Sequence, residues 1–262
     1  RPGQLEKWGL GFEVMQAENP RCILARISGY GQSGPYRDRP AFGAIGEAMG
    51  GLRYLSGHPP EISDLPPVRV GVSLGDEVAA LYAVNGILSA VYERDVVGTG
   101  RGRCIDVALY EAVFSLLESA ISDYSHAGVV RQPTGAALSS AAPSNTYRTA
   151  DGVWLVLSGN SDLIFARLAR VMGRPELATD SRFRSNADRV ANMRELDRII
   201  GDWMASLPAA TIERLLEEAE VPAGRVYTVE DCAHDPHFRA RGMLQPVELP
   251  GVLLAALASL AL

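Results

Sequence analysis

The residue in this sequence best placed to do chemistry is a carboxylate at a junction. Asp76 lies in VRVGVSLGDEVAALY, residues 68–82, where a β-branched apolar segment passes through Gly71 and Gly75 into a helical pattern. As a helix N-cap, Asp76 would accept bonds from orphan backbone N–H groups and meet the positive end of the helix. As a nucleophile, it would use the same setting, because a carboxylate held ionised at a helix start is available at neutral pH. The two roles are compatible.

The other candidates are weaker. His234 and His237 stand three apart, but Pro236 interrupts any helix that would align them on a metal. His58 and His126 are isolated, and no G-x-S-x-G elbow is present. GYGQSG and GTGRG are glycine-rich without forming a dinucleotide fingerprint. Arg37, Asp38 and Arg39 cluster in the loop GYGQSGPYRDRP, either as solvated surface or as contacts for a phosphate-bearing ligand.

The bulk numbers set bounds on these options. The 262 residues are 47% hydrophobic and 21% charged, which is ordinary for one large or two smaller globular domains. A net charge of −6 argues against a basic field for nucleic acid, while leaving room for a local anion pocket. Lys7 is the only lysine among 25 basic residues. Cys22, Cys104 and Cys232 are far apart, with no CxxC, which points away from disulfides and zinc and toward a reducing cytoplasm. The longest apolar run, Val252 to Leu262, is too short to span a bilayer. The opening Arg1-Pro2-Gly3 and the apolar tail read as the ends of a fragment.

Positioning falls to alternating strands and helices. Leu5 to Glu18 reads as a helix ended by Asn19-Pro20, Cys22 to Ser28 as a strand, and Gly29 to Pro40 as a loop. The small-residue segment Ala41 to Leu52 predicts a helix that permits close backbone approach to another helix or a flat ligand. Val68 to Leu74 reads as a strand. Asp76 to Arg94 reads as a helix burying Val78, Leu81, Val84, Leu88 and Val91. Arg103 to Ala108 predicts a strand, and Leu109 to Tyr124 a second apolar helix. Beyond the Ser/Ala/Pro/Gly-rich stretch Gly128 to Asn145, Asn145 to Leu157 predicts a hairpin turning at Asp151-Gly152. Helices are expected at Ser161 to Met172, Ser185 to Ala205 and Ala209 to Ala219, a short strand at Val221 to Val226, and a helix or turn at Val229 to His237. The alternation argues for an α/β core.

Taken in order, RPGQLEKWGLGFE, NPRCILARISGYGQSGPYRDRPAFG, AMGGLRYLSG, VGVSLGDEVAALYAVNGILSAVYER, GTGRGRCIDVALYEAV and NTYRTADG resemble the class III CoA-transferases. This group includes formyl-CoA transferase, carnitine CoA-transferase and α-methylacyl-CoA racemase. The likeness continues through DSRFRSNADRVANMRELDRII, VPAGRVYTVED and DPHFRARGML, to about Met243.

The resemblance implies an α/β fold: part of a Rossmann-like large domain plus a smaller α/β domain, in a homodimer of interlocked rings. It divides the chain into residues 1–127 of the large CoA-binding domain, a linker at 128–145, a small domain at 146–244 and an atypical tail at 245–262. It implies a cytoplasmic enzyme that moves CoA from an acyl-CoA to a carboxylic acid, a dicarboxylate in the closest pattern. No metal, nucleic acid or membrane takes part.

By the same resemblance Asp76, in L-G-D, is the catalytic nucleophile, passing through an aspartyl anhydride and an aspartyl-CoA thioester. Arg1, Lys7, Arg39, Pro40, Ala41, Phe42 and Gly43 carry over as CoA contacts. Phe42 stands where the racemase branch keeps its histidine, which favours transfer over racemisation. Gly43 stands where the formyl-CoA transferase branch has a glutamate. The turn Ser158 to Ser161 either closes over the acyl site or simply joins a strand to a helix. A 2-methylacyl-CoA racemase and an inactive truncated remnant are the alternatives.

Overall fold

The computed structural model describes residues 1–249 and 252–258. The chain divides into two compact units, Arg1–Gly135 and Ala136–Leu262.

In the first unit the expected helix at Leu5 to Glu18 is two pieces, α1 (Gln4–Lys7) and α2 (Phe12–Glu18). They are separated around Gly9, whose φ is +72°. Strand β1 (Leu24–Ser28) follows, then α3 (Gly43–Met49), α4 (Leu52–Leu55) and the 22-residue α5 (Leu74–Asp95). Strand β2 (Cys104–Ala108) pairs in parallel with β1, with Ser28 opposite Ala108.

Three sequence expectations fail in this unit. Val68 to Leu74 forms no strand: it is irregular until α5 begins at Leu74. The helix expected at Leu109 to Tyr124 is broken into α6 (Leu109–Phe114), a 3-10 turn and α7 (Ala120–Ala127), with the break at Glu118, a non-glycine residue at φ +53°. The third concerns α5: of the five residues expected to be buried, Val78 is half-buried against the core and Val91 is half-buried, but the buried stripe lies on the other side of the helix. Gly75, Ala79, Ala83 and Ala90 are buried, whereas Leu81, Val84 and Leu88 are exposed. The reason is distance. Residues 79, 83, 86 and 90 form one helical stripe, and a Cβ on Gly86 would come within 2.8 Å of Ile105. Only small side chains fit between α5 and β2. By length and composition α5 would also suit a membrane span, as do core helices. It packs against β1, β2 and α6.

The small-residue helix α3 makes the helix–helix approach that its composition permits. A Cβ on Gly46 would sit 2.8 Å from that of Leu109, and one on Gly50 2.8 Å from the Tyr110 carbonyl. The backbones of α3 and α6 therefore nearly touch.

The second unit holds the richer core. Strands β3 (Ser144–Arg148) and β4 (Trp154–Ser158) form the expected hairpin, and the short β5 (Ala223–Arg225) adds antiparallel to β4. The turn at Asp151-Gly152 has a second use, since Asp151 Oδ1 accepts from the Ala209 N–H at 3.0 Å. Helices α8 (Asp162–Val171), α9 (Asn186–Ala191), α10 (Met193–Met204) and α11 (Ala209–Glu218) surround the sheet. The expected helix at Ser185 to Ala205 is thus divided at Asn192. Ser161 caps α8, its hydroxyl accepting from the Ile164 N–H. Phe165, Leu168, Phe183, Leu196, Ile200, Met204, Ile212 and Leu216 interlock in the core, each contributing roughly 1.5–3 kcal/mol on full burial.

At the centre of this unit is Arg189, fully buried. It donates to the carbonyls of Ala142 (2.7 Å), Phe183 (3.0 Å) and Asn160 (2.7 Å), and to the Asp162 carboxylate (2.8 Å). One side chain thereby ties α9 to three other segments, at Ala142, at Asn160–Asp162 and at Phe183. Past the core lie α12 (Val229–His234) and α13 (Pro236–Ala240). The tail expected at 245–262 lies partly outside the described residues. Within them, β6 (Leu244–Leu249) and β7 (Val252–Ala258) pair antiparallel.

Two outcomes follow for stability. Arg189→Ala strands the buried carbonyls of Ala142 and Phe183 and the half-buried bond to Asn160, and should cost about 2–4 kcal/mol, read as a lower urea midpoint. Arg189→Lys should recover little of this, because an ammonium lacks the planar fork. The second outcome concerns acid. A hydrogen bond from Arg94, with a further one from Arg21, lowers Asp95 to about 2, and one from Arg182 lowers Asp180 to about 2. Both folded values lie below the unfolded one, so their stabilisation is present at neutral pH and is lost as pH falls through the folded values. Thermal midpoints should drop steeply between about pH 4 and pH 2, and Asp95→Asn should flatten that slope.

Candidate active site

Asp76 is the third residue of α5, not its cap. Ser73 holds the N-cap position and its side chain makes no capping bond. The Asp76 N–H instead bonds the Ser73 carbonyl at 3.1 Å, and the carboxylate is left exposed in the first turn. The sequence suggests a cap because an acid beside a helix start satisfies both patterns. Here the first turn of α5 supplies the field of a helix end without a hydrogen bond that ties the carboxylate down.

Gly43, the first residue of α3, brings the backbone of that helix against the Asp76 side chain. A Cβ at position 43 would fall 2.1 Å from Asp76 Oδ2, and a Cβ on Gly75 would fall 3.1 Å from the Gly43 carbonyl. The starts of α3 and α5 are therefore pressed together through two glycines, and the Asp76 carboxylate occupies the space that a side chain at 43 would need.

Around Asp76 is a cleft of about 250 Å³ lined by Arg1, Pro2, Ile27, Ser28, Gly29, Arg37, Arg39, Ala41, Phe42 and Leu109. It lies beyond the carboxyl ends of the parallel strands: Ile27 and Ser28 end β1, and Leu109 follows β2. Such crevices are where open α/β sheets place ligands. Three guanidinium groups and one carboxylate make it a site for anions. Phe42 is 83% exposed, an unusual state for a large aromatic side chain.

The loop between β1 and α3 is held at both ends. Gly29 and Ala41 meet so closely that a Cβ on Gly29 would lie 2.2 Å from that of Ala41. Within the loop, the Gln32 N–H donates to Asp106 Oδ2 at 2.8 Å, fixing it to β2. The Arg39 guanidinium lies over Tyr36, with Cζ 3.7 Å from the ring centroid.

Of the residues singled out from sequence, the structure gathers Asp76, Arg1, Arg39, Ala41 and Phe42 around one cleft, with Gly43 against Asp76. Lys7 and Pro40 are exposed and do not line it. Sequence reasoning passed over Ile27, Ser28, Gly29 and Leu109, which carry no chemical signature and reach the cleft only because β1 and β2 end together. It also passed over Glu47. This carboxylate is 1% exposed, bonds Arg53 Nη2 at 2.7 Å through Oε2, and has no partner at Oε1 among the described residues. His234 Nδ1 lies 2.8 Å from the Glu230 carbonyl, and no group of three or more His, Cys, Asp or Glu side chains comes together among the described residues.

Comparison with known proteins shows the family. Residues 1–260 match the family described as CoA-transferase family III. Succinyl-CoA–D-citramalate CoA-transferase of Chloroflexus aurantiacus is 47% identical over 250 residues, which are 95% of this chain and 61% of that protein. Acetyl-CoA:oxalate CoA-transferase of Acetobacter aceti is 35% identical, over 97% of this chain and 63% of that protein. The chain thus spans about three-fifths of the length of these relatives. Among solved structures, a CAIB/BAIF family protein from Brucella suis is 32% identical with a TM-score of 0.76, covering 98% of this chain and 68% of that one. The shared sequence over nearly its whole length and the shared fold place this chain in CoA-transferase family III.

Proposed function

We propose that the protein transfers CoA from an acyl-CoA thioester to a dicarboxylic acid, with Asp76 as the covalent nucleophile. The observation that carries this reading is the convergence of an exposed aspartate and three guanidinium groups in one cleft at the strand ends. Relatives named for citramalate, malate and oxalate as acceptors support the acid class.

The steps need neither water nor ATP. An Asp76 carboxylate oxygen attacks the thioester carbonyl, the C–S bond breaks, and CoA leaves as thiolate, giving a mixed anhydride. The thiolate attacks the aspartyl carbonyl of that anhydride and expels the donor acid, leaving Asp76 as a CoA thioester. The acceptor carboxylate displaces the thiolate to form a second anhydride. Attack of the thiolate on its acceptor carbonyl releases the new acyl-CoA and regenerates Asp76. Each intermediate keeps the activation of the original thioester.

Residues of the cleft have distinct parts in this scheme. The first turn of α5 favours the ionised carboxylate. Gly43 leaves room for the acyl group that Asp76 acquires. Ala41 and exposed Phe42 offer an apolar surface to the pantetheine arm, with Arg1, Lys7 and Pro40 as further CoA contacts by resemblance. The same reading takes the active form as a cytoplasmic homodimer. Racemisation has less support, because α-proton exchange needs a positioned acid and base and the residues lining the cleft include no histidine.

Asp76→Ala in the native full-length protein should lower transfer from succinyl-CoA by at least about 10³-fold, and mass spectrometry should lose a CoA adduct at Asp76. Full activity in that variant would refute the covalent route. Gly43→Ala should displace the carboxylate and lower kcat by about 10²-fold, in a variant shown by circular dichroism to be folded; unaltered kcat would show that the contact at Gly43 does not set the geometry of attack.

A further inference from the structure

The identity of the anion that each guanidinium meets can be argued from size, given the transfer reaction above. Two parts of the substrates carry negative charge: the phosphates of CoA and the second carboxylate of a diacid. The pantetheine arm between the thioester sulfur and the diphosphate is long and uncharged. With the thioester carbonyl at Asp76, the phosphates fall an arm's length away. Asp76 and Arg39 line one and the same cleft, so the far carboxylate of a short diacid held at Asp76 stays among its guanidinium groups.

The three cations are not equally prepared. Arg37 leans on its neighbour Asp38 at 3.5 Å, both side chains being largely exposed. Arg39 carries no ion pair among the described residues. It is held by stacking instead: Tyr36 lies beneath its guanidinium, Tyr30 meets Tyr36 edge-on with centroids 5.9 Å apart, and Tyr110 lies 6.2 Å from Tyr30. Tyr110 belongs to α6 and follows Leu109 of the cleft wall. The Arg39 N–H also bonds the Tyr36 carbonyl at 2.9 Å. A planar fork seated over an aromatic ring, with its charge unspent, suits two-point recognition of a carboxylate. We propose that Arg39, held on Tyr36, binds the second carboxylate of the dicarboxylic acyl group whose first carboxyl carbon reacts at Asp76. This moves Arg39 from the CoA contacts that the family resemblance implies to the acid.

Two donors of equal chain length, succinyl-CoA and butyryl-CoA, separate the roles, with CoA loading of Asp76 followed by mass spectrometry in the native full-length protein. In Arg39→Gln the concentration of succinyl-CoA giving half-maximal loading should rise about 10²-fold, while butyryl-CoA loading is unchanged or faster. Butyryl-CoA also reports that the variant is folded. Arg39→Lys should restore only part of the preference. An equal loss with both donors would assign Arg39 to CoA or to the fold, and no loss with either would remove it from the site; each overturns the proposal and leaves the transferase reading intact. If the wild-type protein is loaded by neither donor, the transferase reading itself falls.

Discussion

The closeness with which α3 lies against α5 and α6 governs the N-terminal unit. Glycine at 43, 46, 50 and 75 lets three helices meet at backbone distance, and the ends that meet are the ones facing the cleft. Asp76 is exposed because of this packing, not despite it: the neighbouring helix presents a bare Cα where a side chain would cover the carboxylate. The same approach buries Glu47 one turn further along α3, where Arg53 satisfies one of its oxygens. A buried, half-satisfied carboxylate is costly, and its place on the face of α3 that carries Gly43 shows how tightly this region is drawn together.

Sequence reading recovered the parts of the fold that local chemistry decides. The Asp151-Gly152 hairpin and the extents of β1, β2 and α11 follow from turn residues and alternation, which act within a few positions. It failed where tertiary distance decided. Helix α5 shows large apolar residues at helical spacing, yet a small-residue stripe faces the strands, because the gap to Ile105 admits nothing larger. Likewise, no local signal marks Glu118 as the break that separates α6 from α7. In the cleft, the residues with chemical character were visible in advance, whereas Ile27, Ser28 and Leu109 became part of it only through the strand register.

The two units solve the packing problem differently. The C-terminal unit is built on interlocked large side chains around Arg189, whose guanidinium takes the place of ordinary apolar filling and satisfies carbonyls from segments far apart in sequence. The N-terminal unit has a thin core in which alanines and glycines of the helices pack on Val107, Leu109 and Val113, with specificity in backbone contacts. Substitutions should therefore be read differently in each: a lost methyl group matters most in one, an added methyl group in the other.

The aromatic support under Arg39 has a consequence for selectivity. A flexible ammonium senses only how far away a negative charge lies. A guanidinium fixed in plane also senses direction, because its two parallel N–H bonds weaken when the carboxylate turns. Unsaturated diacids that differ only as cis and trans isomers have the same atoms, length of chain and charge, yet point their second carboxylates along different lines. A cleft with Asp76 at one point and a stacked arginine at another would work as a protractor, sorting such acids by the angle between their ends.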